Sequence, residues 1–505
     1  MTSENRRGWN DLLTSLAARR EHALAMGGPE KLARHRSAGR VDARKRIAEL
    51  LDHESFVEIG TLAGDPSAPA DAFVAGSGLI DGRPVLVGSE DFSVHGGSIG
   101  TAGATKRTRI ARLAKQERLP LVMMLEGAGH RAVNSLVPNR PAPNDLQAMS
   151  ELAGLVPTVA VVAGPSAGHS ALAAPLSDFV VMVGDDAALF AAGPPLVQAA
   201  TGEQATKSEL GGPRVHAVES GLVHNAAADF GEAAALVRRY LSYFPSSAWS
   251  RGAAVATGGD CGERDLDELL DLIPPDPRRA YDMRPVLQHL ADSGSVMEVQ
   301  PAHGGSLITA LARIGGRAVA IVASQPTVLA GAIDRAAAEK AARFIERTSA
   351  FHLPLVQLAD TPGVLAGSAS ERAGVLRASA RMFTAQHRAS VPKLHVTVRK
   401  AFGFGSSVMG QNAFGGQTVS LAFPGAVLGG IPAAVGGATA QYDERTQAEL
   451  IENEAAGPWR LASTVTYDEI IDPRQLRNAL LQGLCLAHGR EQARPEPVRQ
   501  VGYLP

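Results

Sequence analysis

The chain has 505 residues, 45% hydrophobic and 20% charged, with a formal net charge of −2. That length predicts two domains rather than one, and the near-neutral balance offers no basic surface for nucleic acid. No apolar run is long enough to span a membrane, the Arg-rich start carries Glu4, Asp11 and Glu21 and no signal-like apolar core, and Cys261 and Cys485 stand far apart, so the expectation is a cytoplasmic protein without a disulfide or metal site.

Residues 10–52 read as mostly helical, and DARKRIAELLDHESFVEIG (42–60) runs from apolar residues at helical spacing into a strand. The strand PVLVGSEDF then leads through HGGSIG (95–100) into the helix ATKRTRIARLAKQE, whose lysines and arginines read as a polar face. LPLVMML is the next strand, VPNRPAPND (137–145) an irregular surface loop, and VPTVAVVAGP a buried strand ending in the Gly-containing turn SAGHSA (166–171). DELLDLIPPDPRRAYDMRPV (267–286) is a helix, a Pro-rich linker and a fresh helix, which places a domain boundary at 270/271. The plan then repeats as AVAIVASQP, LAGAID, the helix AAAEKAARFIERTSA, LPLVQLA, VPKLHVTVRK and FGFGSS.

The two passes align residue by residue. Pro120 falls on Pro354 at an offset of 234, which also carries Gly82-Arg83 onto Gly316-Arg317, Gly97 onto Gly331 and Lys106 onto Lys340. One further residue carries Val156-Pro157 onto Val391-Pro392 and Gly168 onto Gly403. Matches in one order at nearly one offset indicate an internal duplication. Alternating strands and helices with continuous apolar strands make each half a parallel α/β layer structure.

In each half a turn after one strand and a Gly-rich turn after another can aim two peptide N–H groups at a single oxygen. Such preorganised donors stabilise a developing oxyanion, and glycine lets the backbone approach the substrate closely.

GGSIG followed by AGPSAGHSALAAPLSDFVVMVGDDAALF resembles the crotonase fold. Its doubling, with ARKRIAELLDHESFVEIG, EDFSVHGGSIG, TGEQATKSELGGPRVHAVESGLVHNAAAD, LSYFPSS, LLDLIPPDPRRAYDMRPV and RKAFGFGSSVMG, resembles the carboxyltransferase subunit of acetyl-, propionyl- and methylcrotonyl-CoA carboxylases over almost the whole chain. The resemblance implies two tandem crotonase (ClpP)-like α/β domains, residues 1–270 on the acyl-CoA side and 271–505 on the biotin side. It implies that carboxybiotin on a separate carrier releases CO₂, that the biotin ureido anion takes the α-proton of an acyl-CoA, and that the enolate attacks CO₂. No protein base is then required, and two anions need two holes.

Carried over by position, the first hole falls on Gly168 and His169, with Gly97 and Ser98 as further candidates and Gly129 in EGAGHR (126–131) at the substrate. The second falls on Phe404 and Gly405 beside Gly403, with Gly331 and Ala332. Phe404, Ser406 and Ser407 stand where the family tunes acyl length. The family usually has Gly-Gly where this chain has Gly168-His169, and Gly-Gly-Ala where it has Gly403-Phe404-Gly405. His169 and His130 are candidate general bases, but the implied reaction needs none, so the His169 side chain reads as pocket wall. Arg44, Lys45 and Arg46 are candidates for CoA phosphates, whereas RLAKQER and the segment with Lys340 and Arg343 read as solvated helix faces. No Met-Lys-Met biotinylation site or ATP-binding loop is found, which implies a partner bearing biotin carboxylase and carrier. The family assembly is a hexamer, a trimer of dimers. Competing readings are a biotin-dependent acyl-CoA decarboxylase or transcarboxylase, a crotonase-type hydratase or hydrolase, which lacks an acid within the hole motifs, and an inactive structural paralogue.

Overall fold

A computed structural model describes residues 2–136, 144–252, 254–255, 260–412, 415–492 and 495–498, so most of the expected surface loop at 137–145 lies outside the described residues. The chain forms two compact units that divide at Ser242/Tyr243 rather than at 270/271. The reason is apolar burial: Leu266 and Leu269, read as the end of the first domain, sit in the second unit's core with Ile308 and Ile321.

The first unit holds a seven-stranded sheet in the order Val57–Glu58, Phe73–Ile80, Arg83–Glu90, Leu121–Leu125, Thr158–Val162, Phe179–Val183, Asn225–Ala227. Its first two pairings are antiparallel and the rest parallel. Leu121–Leu125 and Thr158–Val162 are buried along their whole length, as their unbroken apolar and β-branched sequence requires of central parallel strands. The second unit repeats the order with Met297–Val299, Leu307–Ile314, Arg317–Ser324, Leu355–Thr361, Lys393–Phe402, Val419–Ala422 and Glu469–Ile470.

Phe73, Arg83 and Thr101 open two strands and a helix whose counterparts open at Leu307, Arg317 and Arg335. The parallel bridge Ile99–His130 recurs as Ile333–Val364. Even the turn before it is copied: His95, Gly96 and Gly97 have φ of 48°, 61° and 67°, and Leu329, Ala330 and Gly331 have 52°, 53° and 82°. Left-handed backbone at Leu329 is costly for a branched side chain, so tertiary packing dictates this turn.

The helices Thr101–Glu117 and Arg335–Ala350 correct the reading of a uniformly polar face. Arg112 and Lys115 are exposed as expected, but Lys106, Arg107, Lys340 and Arg347 are buried, and Arg343 is half-buried. Lys106 Nζ donates to the Ala70 carbonyl at 3.0 Å and to that of Phe73, and Lys340 Nζ donates to the carbonyls of His303 and Leu307 at 2.7 Å each. Burial outweighs nearby charge and brings each ammonium down to about 8. In each unit the lysine ties the helix to the main chain just before a strand.

Candidate active site

In the first unit, the loop 126–131 leaves the strand Leu121–Leu125, and the turn 166–171 follows the short strand Pro165–Ala167. They meet through main chain, with the Ala167 N–H donating to Gly127 O at 3.0 Å. A Cβ added to Gly129 would lie 2.6 Å from Ala167 O and 3.7 Å from His169 N, so this approach admits no side chain. Gly168 turns the chain with φ 57°, a value few other residues adopt.

The expected donors are corrected in part. The Gly168 N–H is already given to Phe190 O at 2.9 Å, Gly97 N–H to Val94 O at 3.0 Å and Ser98 N–H to His95 O at 3.2 Å. The N–H groups of His130 and His169, in contrast, have no hydrogen-bond partner among the described residues. Gly97 and Ser98 instead support the loop. A Cβ at Gly97 would lie 2.4 Å from Glu126 O, and Ser98 O accepts from Arg131 Nη2 at 2.9 Å.

The second unit repeats these geometries. Gly331 and Ala332 spend their N–H groups on Val328 O and Leu329 O, each at 2.9 Å, while those of Val364 and Phe404 have no partner among the described residues. Val364 and Phe404 match His130 and His169 at offsets of 234 and 235. Gly403 has φ 54° like Gly168, and a Cβ on Gly405 would lie 2.6 Å from Gly363 Cα, which makes Gly405 the point where the two loops touch. Phe404 is 45% exposed, with its ring 5.5 Å from that of Phe383. Ser406 Oγ donates to Gly403 O at 2.7 Å, and Ser407 O accepts from Gln386 Nε2 at 3.1 Å, so both serines brace the turn.

Beneath the first pair of loops runs a chain of buried charges that the sequence reading did not anticipate. Glu126, fully buried, accepts from Arg46 and, at 3.1 Å, from Arg40. Its own N–H donates to Glu90 Oε2 at 2.7 Å, and Glu90 Oε1 accepts from Arg107 Nη1 at 2.7 Å. Arg107 Nε donates to Asp145 Oδ2 at 2.7 Å, and Asp145 Oδ1 lies 2.5 Å from His169 Nε2. Burial alone would raise the Asp145 carboxyl, but its bonds to His169 and Arg107 prevail and lower it to about 2. The His169 side chain is therefore a held imidazole, not a plain wall. Arg44 is committed to Glu58 at 2.7 Å and Arg46 to Glu126, which leaves exposed Lys45 as the uncommitted member of the three CoA-phosphate candidates apart from a loose 3.6 Å pair with Glu49. Among the described residues, no helix is long and apolar enough to cross a membrane, and no group of three His, Cys, Asp or Glu side chains is placed to hold a metal ion.

A family model described as the carboxyl transferase domain matches residues 34–501. The methylmalonyl-CoA carboxyltransferase 12S subunit of Propionibacterium freudenreichii subsp. shermanii is 34% identical over 95% of each chain. The methylmalonyl-CoA decarboxylase subunit alpha of Veillonella parvula is 33% identical, covering 94% of this chain and 95% of that one. A crystal structure of transcarboxylase 12S, described as a hexamer assembly with hydrolysed methylmalonyl-coenzyme A bound, has 32% sequence identity and a TM-score of 0.89 over 98% of each chain.

Proposed function

The chain belongs to the carboxyl transferase family, and from that premise we propose that it is the carboxyltransferase of a biotin-dependent acyl-CoA system, working with a biotin carrier on another polypeptide. The observation that carries the reading is the doubled pair of N–H groups without a partner among the described residues, His130 with His169 and Val364 with Phe404, at matching places in two copies of one fold. A reaction that develops negative charge on two different oxygens calls for two such pairs.

The first pair receives the thioester oxygen of the acyl-CoA as its α-carbon becomes an enolate, and the charge chain through Glu126, Glu90, Arg107 and Asp145 holds the loops in place. The second pair receives the carbonyl oxygen of the biotin ring, against the apolar surface of Phe404 and Phe383. Carboxybiotin supplies the carboxyl group when the loaded carrier docks. His169 and Phe404 replace smaller family residues, yet main-chain donation is independent of the side chain, which supports an active enzyme over a silent paralogue. The same donors serve the reverse direction, and two of the relatives are named a decarboxylase subunit and a carboxyltransferase. The hexamer assembly of transcarboxylase 12S supports a hexamer here too; a monomeric mass by light scattering at micromolar concentration would overturn that assembly.

The function is tested by mixing the purified chain with a carrier bearing ¹⁴C-carboxybiotin and a panel of acyl-CoAs. Label is expected to move to at least one acyl-CoA, and the chain alone is expected to fix no bicarbonate with ATP. No transfer to any acyl-CoA by a correctly assembled protein overturns the reading.

A further inference from the structure

Resting on the reading that His169 lends its N–H to the thioester oxygen, we propose that the Asp145–His169 pair is a general base that exchanges the α-proton of bound acyl-CoA with solvent when no carrier is present. Asp145 is fixed from behind. Its side chain is 2% exposed, one oxygen is held by Arg107 Nε at 2.7 Å, and Arg107 is held in turn by Glu90 at 2.7 Å. The other oxygen meets His169 Nε2 at 2.5 Å. A buried carboxylate accepts, so Nε2 carries the proton and Nδ1 keeps its lone pair, a tautomer assigned from this partner. A base oriented by a buried carboxylate is the arrangement that general-base catalysis requires.

Nδ1 has no partner among the described residues, and the His169 side chain is 34% exposed. It is four bonds from its own main-chain nitrogen, so the lone pair and the donor N–H serve one small volume. The α-carbon of a thioester is two bonds from its oxygen and falls in the same space. In the exchange the α C–H bond breaks, the proton goes to Nδ1, and the electron pair moves onto the thioester oxygen as an enolate. A solvent-derived deuteron on Nδ1 then re-forms the bond, and nothing is consumed. The fold itself does not require the pair. At the repeat offset His169 becomes Phe404, Asp145 becomes Ser379 and Arg107 becomes Ala341. His169 is thus a catalytic residue on this proposal, and Asp145 a positioning one.

The test incubates the full-length chain with propionyl-CoA in D₂O without carrier and follows α-deuteration by mass spectrometry. Enzyme-dependent exchange is expected, falling about a hundredfold in both His169→Gly and His169→Gln. Added imidazole is expected to restore it in His169→Gly, where the space is vacated, and not in His169→Gln. Exchange unchanged in His169→Gly, or absent from a wild-type preparation that does transfer carboxylate, overturns the proposal. Exchange without any carboxyl transfer overturns the proposed function instead and leaves the base in place.

Discussion

Each unit buries one acid at the root of its first hole loop, Glu126 in one and Asp360 in the other, separated by the repeat offset. They are neutralised differently. Asp360 takes Arg399 Nε from the neighbouring strand at 2.7 Å. In the first unit the place of Arg399 is Gly164, where a Cβ would lie 2.6 Å from the Glu126 side chain, and the cations arrive instead from Arg40 and Arg46. The acid's main-chain N–H is met by Glu90 in one unit and by Ser324 Oγ at 3.0 Å in the other. The duplication has therefore kept the backbone frame and its donor N–H groups while the layer beneath diverged. One half became a continuous line of charge ending at His169, and the other a compact cluster in which Asp360 meets Arg399 and, at 3.6 Å, Lys400.

The largest expected effect comes from cutting either acid out. Glu126→Ala leaves Arg46 buried without its partner, and Asp360→Ala does the same to Arg399, so each is expected to cost about 3–5 kcal/mol in urea unfolding. A much smaller cost in one would show that its neutralising cations reach water. Next come the loop contacts. Gly129→Val and Gly405→Val force apart backbones whose added Cβ would lie 2.6 Å from the facing atom, and overall carboxyl transfer is expected to fall a hundred- to a thousandfold in each.

Acid sensitivity distinguishes the line ending at His169 from its counterpart, where Ser379 stands at the place of Asp145. The Asp145 carboxyl sits at about 2 in the folded chain against an ordinary 3.8. Its folded value is depressed, so its contribution of about 2 kcal/mol is present above the unfolded value and is lost as pH falls from about 4 to about 2. Asp145→Asn is expected to remove that part of the acid-unfolding curve. The smallest effect should be of similar size in both halves. Lys106→Met takes the ammonium from two main-chain carbonyls and Lys340→Met from three, and each is expected to cost about 1–2 kcal/mol in denaturant unfolding.

The repeat, the succession of the main strands and helices in each half and the Gly-rich loops were legible in the sequence, because continuous apolar strands and paired glycines leave marks at a fixed offset. The donor assignments were less so. Gly168 and Gly97 look like donors because they are glycines, yet the Gly97 N–H closes a turn and the Gly168 N–H extends the pairing of Pro165–Ala167 with Ala188–Phe190, and those without a partner among the described residues belong to His130 and His169, whose side chains say nothing about main-chain direction. Asp145 lies beyond a Pro-rich stretch from its partner Arg107, and no spacing announces that contact. Lys106 and Lys340 read as solvated because a lysine bonded to carbonyls has the same periodicity as one in water. Their alignment in the repeat was the available signal.

Carboxybiotin breakdown in the absence of acyl-CoA discriminates between the two donor pairs. With correctly assembled variants and ¹⁴C-carboxybiotin on its carrier, Gly129→Val is expected to keep releasing label as CO₂ while Gly405→Val loses that release, because only the second pair faces biotin. Loss of release in Gly129→Val together with its retention in Gly405→Val would contradict the assignment of the two halves.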